Sequence, residues 1–279
     1  MKTEGLLDTV ALLPILDKKL IQLLRSLGPD DWQKPTLAGN WTVKDIAGHL
    51  LDGNIRTLSM LRDGYFGAPA PVINSYQDLV GYLNDLNAEW VASMRRVSPA
   101  MLIDLLENSG REYSEYLATL DLHAKAAFSV AWAGEQESEN WFHIAREYTE
   151  KWHHQQQIRV AVGEEQALFT KALFQPYLET SLRALPYHYR TLREPTGTTL
   201  KFLIRGETEY VVFLRRGEES WQLLSSYEGE PDSTVEVGQE IIWRIFSKGI
   251  SPSEAKKYVH ITGNVEAGST ILNMLAVMA

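Results

Sequence analysis

The chain has 279 residues, 44% hydrophobic and 23% charged, which is typical of a soluble globular protein with one large or two smaller domains. The 27 basic against 36 acidic residues give a net charge of −9, which disfavours nucleic acid as a partner because phosphates attract basic surfaces. The absence of cysteine excludes disulfides, thiolate metal sites and a cysteine nucleophile, and is compatible with a reducing cytoplasm.

No segment predicts export or membrane insertion. The segment MKTEGLLDTVALLPILDKKL contains an apolar run, but Asp8, Pro14 and Asp17 interrupt it and no small-residue cleavage pattern is present. No stretch approaches the roughly 20 apolar residues of a membrane span. We therefore expect a cytoplasmic protein that does not interact with a membrane. The apolar segment ILNMLAVMA is predicted to form a buried terminal helix.

About five helices are predicted before residue 165, from apolar residues that recur at helical spacing. The second has Thr42 as its N-cap, and Asp45 three residues later completes the pattern of a capping box. The last ends before Gly163. A helix bundle is the natural architecture for this order. The predicted helices cover residues 1–27, 37–65, 75–95, 99–120 and 141–162.

The pattern changes after residue 195. Three short β-rich segments are separated by glycines and charge pairs, and the remaining sequence predicts strand, helix, strand and helix. Residues 168–193 are predicted to be helical, with Pro176 and Pro186 as kinks or stops. We therefore divide the chain into an all-α domain over 1–167 and a smaller α+β domain over 168–279 that includes the helical connection.

The segment REYTEKWHHQQQIR, residues 146–159, concentrates imidazole, carboxylate and amide groups on one helix. Glu150 and His154 are four residues apart, so they project from one face about one turn apart and can bind the same metal ion. Glu147, a reserve carboxylate, and Gln157 extend this stripe. His143 lies about 16 Å from His154 along the axis, which is too far to share an ion.

The best third ligand is His49, two turns into the second predicted helix, where Gly48 and Gly53 leave room for a close approach. With Glu150 and His154 it gives three nitrogen or oxygen ligands and an open coordination position. Zinc, nickel, manganese and ferrous iron all fit this set.

Simpler interpretations remain open, because a lone helical histidine is more often a core or surface residue, and Glu150 with His154 could be a solvated pair. His153 is predicted to be exposed or to lie behind the ligands, since neighbours on a helix diverge by about 100°. The other histidines have no partner pattern: His123, His188 and His260.

Four stretches carry a family resemblance. GNWTVKDIAGHLL resembles the second-helix signature of the DinB/YfiT-like metalloenzymes. EYTEKWHHQQQIRVAVG resembles the corresponding segment of the mycothiol-dependent maleylpyruvate isomerase branch, and WRIFSKG and VHITGNVEAGSTILNMLAVMA resemble its appended sterol-carrier-protein-like domain. The resemblance extends over nearly the whole chain.

The resemblance implies a DinB-type four-helix bundle with a divalent metal, usually zinc, held by His49, Glu150 and His154. It also implies a low-molecular-weight thiol as cosubstrate, which the metal would favour as thiolate near an electrophile. The isomerases use an arginine of the C-terminal domain for their anionic substrate, and the candidates here are Arg244 and Lys248.

The leading hypothesis is therefore a metal-dependent isomerase or transferase that acts on a small molecule with the help of a thiol. Two alternatives are a non-enzymatic binding module for a small ligand, with a structural metal or none, and a thiol-independent metallohydrolase. Monomer and homodimer are equally compatible with the sequence. Candidate pocket residues are Asn87, Glu147 and Gln157.

Overall fold

The computed structural model describes residues 7–278, and the contacts between these residues divide them into two compact units. The helical unit contains residues 8–127 and 139–165, whereas the sheet unit contains residues 128–138 and 166–278. The segment 128–138 thus belongs with the sheet although it lies between two helices of the other unit. The boundary proposed at residue 167 stays a proposal.

The helical unit contains the five predicted helices. They are α1 (Leu13–Ser26), α2 (Val43–Thr57), α3 (Tyr76–Met94), α4 (Pro99–Leu117) and α5 (Asn140–Val162). The first helix is shorter than predicted, with a 3-10 turn over Val10–Leu12 in front of it, and the predicted residues 1–6 lie outside the described part of the chain. A π-helical turn, Leu58–Arg62, extends α2.

The capping pattern sets the start of α2. The backbone N–H of Asp45 donates to Thr42 Oγ1, and the Asp45 carboxylate accepts from the backbone N–H of Thr42 at 3.0 Å. The predicted capping box is therefore confirmed, and α2 begins at Val43 rather than at residue 37. At the other predicted boundary, Gly163 ends α5 with a φ of +80°, a left-handed conformation that glycine adopts without strain.

Most of the helical unit has an apolar core, to which α1, α2 and α4 contribute leucines and isoleucines. Helix α5 differs, because many of its buried residues are polar, and several of them form hydrogen bonds to other helices. Lys151 Nζ contacts Asp17 Oδ1 at 2.8 Å and donates to Asn54 Oδ1 at 2.7 Å. Gln155 Nε2 donates to the carbonyl of Leu16 at 2.9 Å.

The sheet unit has a five-stranded sheet in the order β3-β2-β1-β4-β5, in which only the β1–β4 pair is parallel. The strands are β1 (Thr199–Arg205), β2 (Tyr210–Arg216), β3 (Trp221–Leu224), β4 (Ser233–Gly238) and β5 (Val259–Gly263). The helices are α6 (Lys171–Leu182), α7 (Leu185–His188), α8 (Gln239–Phe246), α9 (Pro252–Ala255) and α10 (Val265–Ser269). The change from helices to short strands after residue 195 is thus confirmed. Pro176 lies inside α6, and Pro186 in the first turn of α7.

The predicted terminal helix over ILNMLAVMA is wrong. Helix α10 is followed by a 3-10 turn, Thr270–Asn273, and residues 274–278 are not helical. Burial was nevertheless predicted correctly, since Met274 and Ala276 are almost inaccessible. The backbone N–H of Ala276 donates to the carbonyl of Phe246 at 3.0 Å, so this segment bonds to a distant residue instead of to itself.

None of the helices in residues 7–278 combines the length and the apolar composition that a membrane crossing requires.

Candidate metal centre

Three side chains of α5 converge at its buried face. The ligand atoms of Glu150, His153 and His154 all lie within 4.8 Å of one another. Nε2 of His154 is 3.6 Å from Oε2 of Glu150, and Nε2 of His153 is 3.9 Å from the same oxygen. The structure thus brings together Glu150 and His154, the pair that the spacing singled out.

His153 belongs to this cluster and is not exposed, so of the two sequence-based expectations only a place behind the ligands remains. Only 4% of its surface is exposed, and its ring centroid lies 4.1 Å from that of His154. Its Nδ1 bonds to the carbonyl of Thr149 at 2.8 Å, which turns the ring back toward the preceding turn, where Glu150 lies. The angle between neighbouring residues on a helix predicts the direction of each Cα–Cβ bond, so it did not predict how the His153 ring rotates.

His49 of α2 lies beside the cluster. Its ring centroid is 4.7 Å from that of His154 in an edge-on arrangement, and 4.9 Å from the ring of Trp41. Its Nδ1 is buried and has no hydrogen-bond partner within residues 7–278. His49 is not among the three residues whose ligand atoms lie within 4.8 Å, so its assignment as a ligand stays a prediction.

Hydrogen bonds fix the tautomers of the two α5 histidines. A carbonyl oxygen can only accept, so Nδ1 of His153 carries the proton that it donates to Thr149. His154 Nδ1 lies 2.9 Å from Oε1 of Gln157, which accepts in the same way. Both Nε2 atoms therefore keep a lone pair on the Glu150 side. Gln157, predicted as a pocket residue, is buried and orients His154.

The electrostatics of the cluster favour neutral imidazoles. Burial lowers the pKa of His49 and of His154 well below the usual range, and lowers the pKa of His153 to about 4. The contacts of the histidines with Glu150 are therefore not ion pairs at neutral pH. Burial also raises the pKa of Glu150 to about 7, with a further contribution from the nearby charge of Glu147.

This donor set fits a divalent first-row metal. Neutral imidazole nitrogens with free lone pairs and a carboxylate are the ligands that zinc, nickel, manganese and ferrous iron accept in proteins. Hydrogen bonds from the far side of each imidazole, here to Thr149 and Gln157, are the usual support of metal-bound histidines. The unpartnered Nδ1 of His49 adds a further available nitrogen.

Glu147 is engaged in a separate network one turn before Glu150. Its carboxylate accepts hydrogen bonds from Tyr113 Oη at 2.8 Å and from Arg146 Nη2 at 2.7 Å. Burial by itself would raise the pKa of Glu147, but the Arg146 charge and these contacts lower it to about 2. The predicted reserve carboxylate is thus an anion with its own partners.

Asn87 lies on α3, near the part of α2 that carries His49. One turn after it, Trp90 donates from Nε1 to the carbonyl of Gly48 at 2.8 Å. A methyl group at Gly48 would lie 3.1 Å from Met94 Cβ, so Gly48 allows the close approach of α3, whereas a methyl group at Gly53 would meet no atom within 4 Å. Asn87 Oδ1 is buried with no hydrogen-bond partner within residues 7–278. Its role as a pocket residue stays a prediction.

Arg244 and Lys248 belong to the sheet unit. Arg244 is partly buried on α8, with its guanidinium 5.6 Å from the centre of the Trp243 ring. Lys248 is exposed just after α8 and has a φ of +59°, a left-handed conformation that is rare for lysine. Their catalytic assignment stays a prediction.

Comparisons with known proteins give one family model and solved structures that share the fold. A family model described as the mycothiol maleylpyruvate isomerase N-terminal domain matches residues 13–159, more than half of the chain. The solved structure of the mycothiol-dependent maleylpyruvate isomerase is 14% identical, and that of a histidine-to-alanine mutant 13%. Each covers 92% of this chain and 93% of its own, with a TM-score of 0.55. At this identity the likeness shows a shared fold.

A third structure, titled "UbiJ-SCP2 Ubiquinone synthesis protein", matches 36% of this chain and 95% of its own, at 14% identity. Its TM-score of 0.27 is too low to support an argument. No curated protein matches the chain.

Proposed function

The chain belongs to the mycothiol maleylpyruvate isomerase N-terminal domain family, and from this premise we propose a divalent-metal-dependent enzyme that uses a low-molecular-weight thiol. It would isomerise a small electrophilic substrate or transfer a group to it. The observation that carries the proposal is the cluster of the half-buried Glu150 with the buried His153 and His154, beside His49. The finer fold assignment, a DinB-type four-helix bundle followed by a sterol-carrier-like domain, is part of this proposal.

The metal ligands in this proposal are His49, Glu150 and His154, and zinc is the first choice of metal. When bound, the metal would act as a Lewis acid that favours the thiolate form of the cosubstrate. Thr149 and Gln157 hold the two α5 imidazoles in the tautomer that leaves Nε2 available. His153 is the alternative third ligand, because its Nε2 also faces Glu150.

Because the chain has no cysteine, the thiol in this proposal comes from a small molecule. In an isomerisation, the thiolate sulfur forms a bond to one carbon of a conjugated double bond, which becomes a single bond. Rotation about that bond and elimination of the thiolate then restore the double bond in the other geometry. Thiol and substrate atoms balance, and no oxidant or reductant is consumed. The ring of Trp41 lies 4.9 Å from that of His49 and 6.4 Å from that of His154, so it forms part of the wall beside the cluster.

The first experiment is elemental analysis of protein purified without a histidine tag. We expect about one equivalent of divalent metal in the wild type, and its loss in His154→Ala. The matched control is His123→Ala, because His123 belongs to the same unit but its side chain is 72% exposed. A wild type without metal, even after reconstitution, would contradict the proposal.

A second candidate function is a non-enzymatic binding module. It is favoured by one observation, namely that the ring of His49 lies 4.7 Å from that of His154, beside the three grouped residues. A nitrogen of His49 would complete a closed site of four protein ligands, which is typical of a structural metal. Spectra of the cobalt-substituted protein with added thiol separate the two functions. A sulfur-to-cobalt charge-transfer band supports the enzyme, whereas an unchanged spectrum supports the binding module. Turnover of an ester without added thiol would instead indicate a metallohydrolase.

A further inference from the structure

A cavity lies between α1 and α4 of the helical unit, whereas the candidate metal ligands belong to α2 and α5. Its volume of about 620 Å³ falls within the range of roughly 300–1,000 Å³ that is typical of small-molecule sites. The two helices run antiparallel along it, since Arg25 contacts Glu107 at 2.6 Å and the earlier Asp17 lies beside the later Gly110. A methyl group at Gly110 would lie 2.8 Å from Asp17 Oδ2, so the glycine leaves space at the base of the cavity.

A buried hydroxyl without a partner lines this cavity. Ser114 is only 6% exposed, and its Oγ has no hydrogen-bond partner within residues 7–278. A hydroxyl that is removed from water normally has a partner, because its burial otherwise costs free energy. Asp17 also lines the cavity, but Lys151 Nζ contacts both of its carboxylate oxygens, at 2.8 and 3.1 Å. Ser114 therefore has hydrogen-bonding capacity that a ligand in the cavity can use.

The charged side chains of the cavity have an excess of positive charge available to a ligand. Arg25 and Glu107 neutralise each other. Lys18 and Arg111 are exposed and form no ion pair or hydrogen bond with another side chain in the described part of the protein. Glu115 is likewise unpaired among the described residues, so two uncommitted cations face one uncommitted carboxylate. The cavity therefore attracts an anion more strongly than a cation.

The apolar residues of the cavity are concentrated at one end. Val10 and Pro14 lie at the start of α1, and Ala118 lies just after α4. Lys18 follows Pro14 by one helical turn, about 6 Å along the axis. A ligand can therefore place a hydrocarbon part against the apolar end while its anionic group reaches Lys18 and Arg111.

We propose that this cavity binds a small amphipathic carboxylate, a hydrocarbon chain that ends in an anionic group. The carboxylate lies between Lys18 and Arg111 and accepts a hydrogen bond from Ser114, and the chain packs against the apolar end. A guanidinium can bind a carboxylate through two parallel hydrogen bonds, and a hydroxyl can donate a third. The site is separate from the proposed reaction, because its lining residues belong to α1, α4 and the segments next to them.

The test measures binding of octanoate to the full chain by isothermal titration calorimetry. We expect the wild type to bind octanoate, Ser114→Ala to weaken binding at least about fivefold, and the double variant Lys18→Gln with Arg111→Gln to weaken it at least about tenfold. The matched control is Lys171→Gln with Arg193→Gln, which removes the same two charges from exposed positions of the sheet unit. Absence of binding by the wild type, or equal affinities of the wild type and the double variant, would overturn the proposal.

Thermal denaturation distinguishes a ligand-binding role of Ser114 from a structural one. Removal of an unpartnered buried hydroxyl should raise the Tm of the free protein, and should reduce the further rise in Tm that octanoate causes. A Ser114→Ala variant with a lower Tm and an undiminished response to octanoate would overturn the proposal. If Ser114→Ala does not fold, the double variant decides, because both of its side chains are exposed.

Two comparisons establish where and how octanoate binds. 1-Octanol has the same chain without the charge and should bind at least about tenfold more weakly, so equal affinities would overturn the assignment of an anion. Octanoate should bind equally well to metal-free and metal-loaded protein, whereas binding that is lost with the metal would place the carboxylate at the metal centre and overturn the proposal. Metal content of the same samples tests the proposed function separately.

Discussion

Helices α5 and α8 are both largely buried, but they bury different side chains. Helix α8 buries three isoleucines, Trp243 and Phe246, which is typical of a helix whose apolar face packs into a hydrophobic core. Helix α5 buries histidines, glutamines, Lys151 and Arg159, whose burial costs free energy unless each group is hydrogen-bonded. The burial of α8 is thus explained by stability alone. In α5, some buried polar groups stabilise the fold, whereas others have nitrogen lone pairs that are available to a metal ion. Experiments can separate these two kinds of buried polar group.

The largest expected effect concerns a structural polar group of α5. Lys151→Met removes the cation that contacts Asp17 and Asn54, and leaves the Asp17 carboxylate mostly buried without its partner. We expect a loss of about 3 kcal/mol in the free energy of unfolding, measured by urea denaturation. The double variant Asp17→Asn with Lys151→Met should regain much of it. An unchanged midpoint in Lys151→Met would show that this network does not stabilise the fold.

An intermediate effect is expected where a polar group of α5 serves the metal centre. Gln157→Leu removes the acceptor that orients His154, and should weaken metal binding about tenfold to a hundredfold, measured by competition with a chelator. Gln155→Leu is the matched control, because Gln155 is equally buried but donates to the carbonyl of Leu16. If the two variants bind metal equally well, Gln157 has no special role at the metal centre and does not differ from Gln155.

The smallest effect is expected at the end of α8. Lys248 has a φ of +59°, and a non-glycine residue in this conformation is strained. Lys248→Gly should therefore raise the free energy of unfolding by about 1 kcal/mol, whereas Lys248→Ala should not. Turnover measured on the same variants tests the predicted catalytic role. If Lys248→Gly is more stable than the wild type and equally active, the lysine side chain has no catalytic role and only its backbone conformation matters.

The features that could be predicted from the sequence depend on residues that are close together in the chain. The start of α2 depends on Thr42 and Asp45, three residues apart, and the proximity of Glu150 to His154 depends on the helical repeat. His153 was missed because the bond to Thr149 rotates its ring, although the doublet of adjacent histidines was a visible signal.

The close approach of α2 and α3 at Gly48 has an evolutionary consequence. A side chain at this position would meet Met94 Cβ at 3.1 Å and Cγ at 3.3 Å, so the two positions share a limited volume. Alanine or serine at position 48 would therefore displace α3 by a few tenths of an ångström, because every residue at position 94 except glycine retains a Cβ. Gly48 thus limits how far the sequence beside His49 can drift.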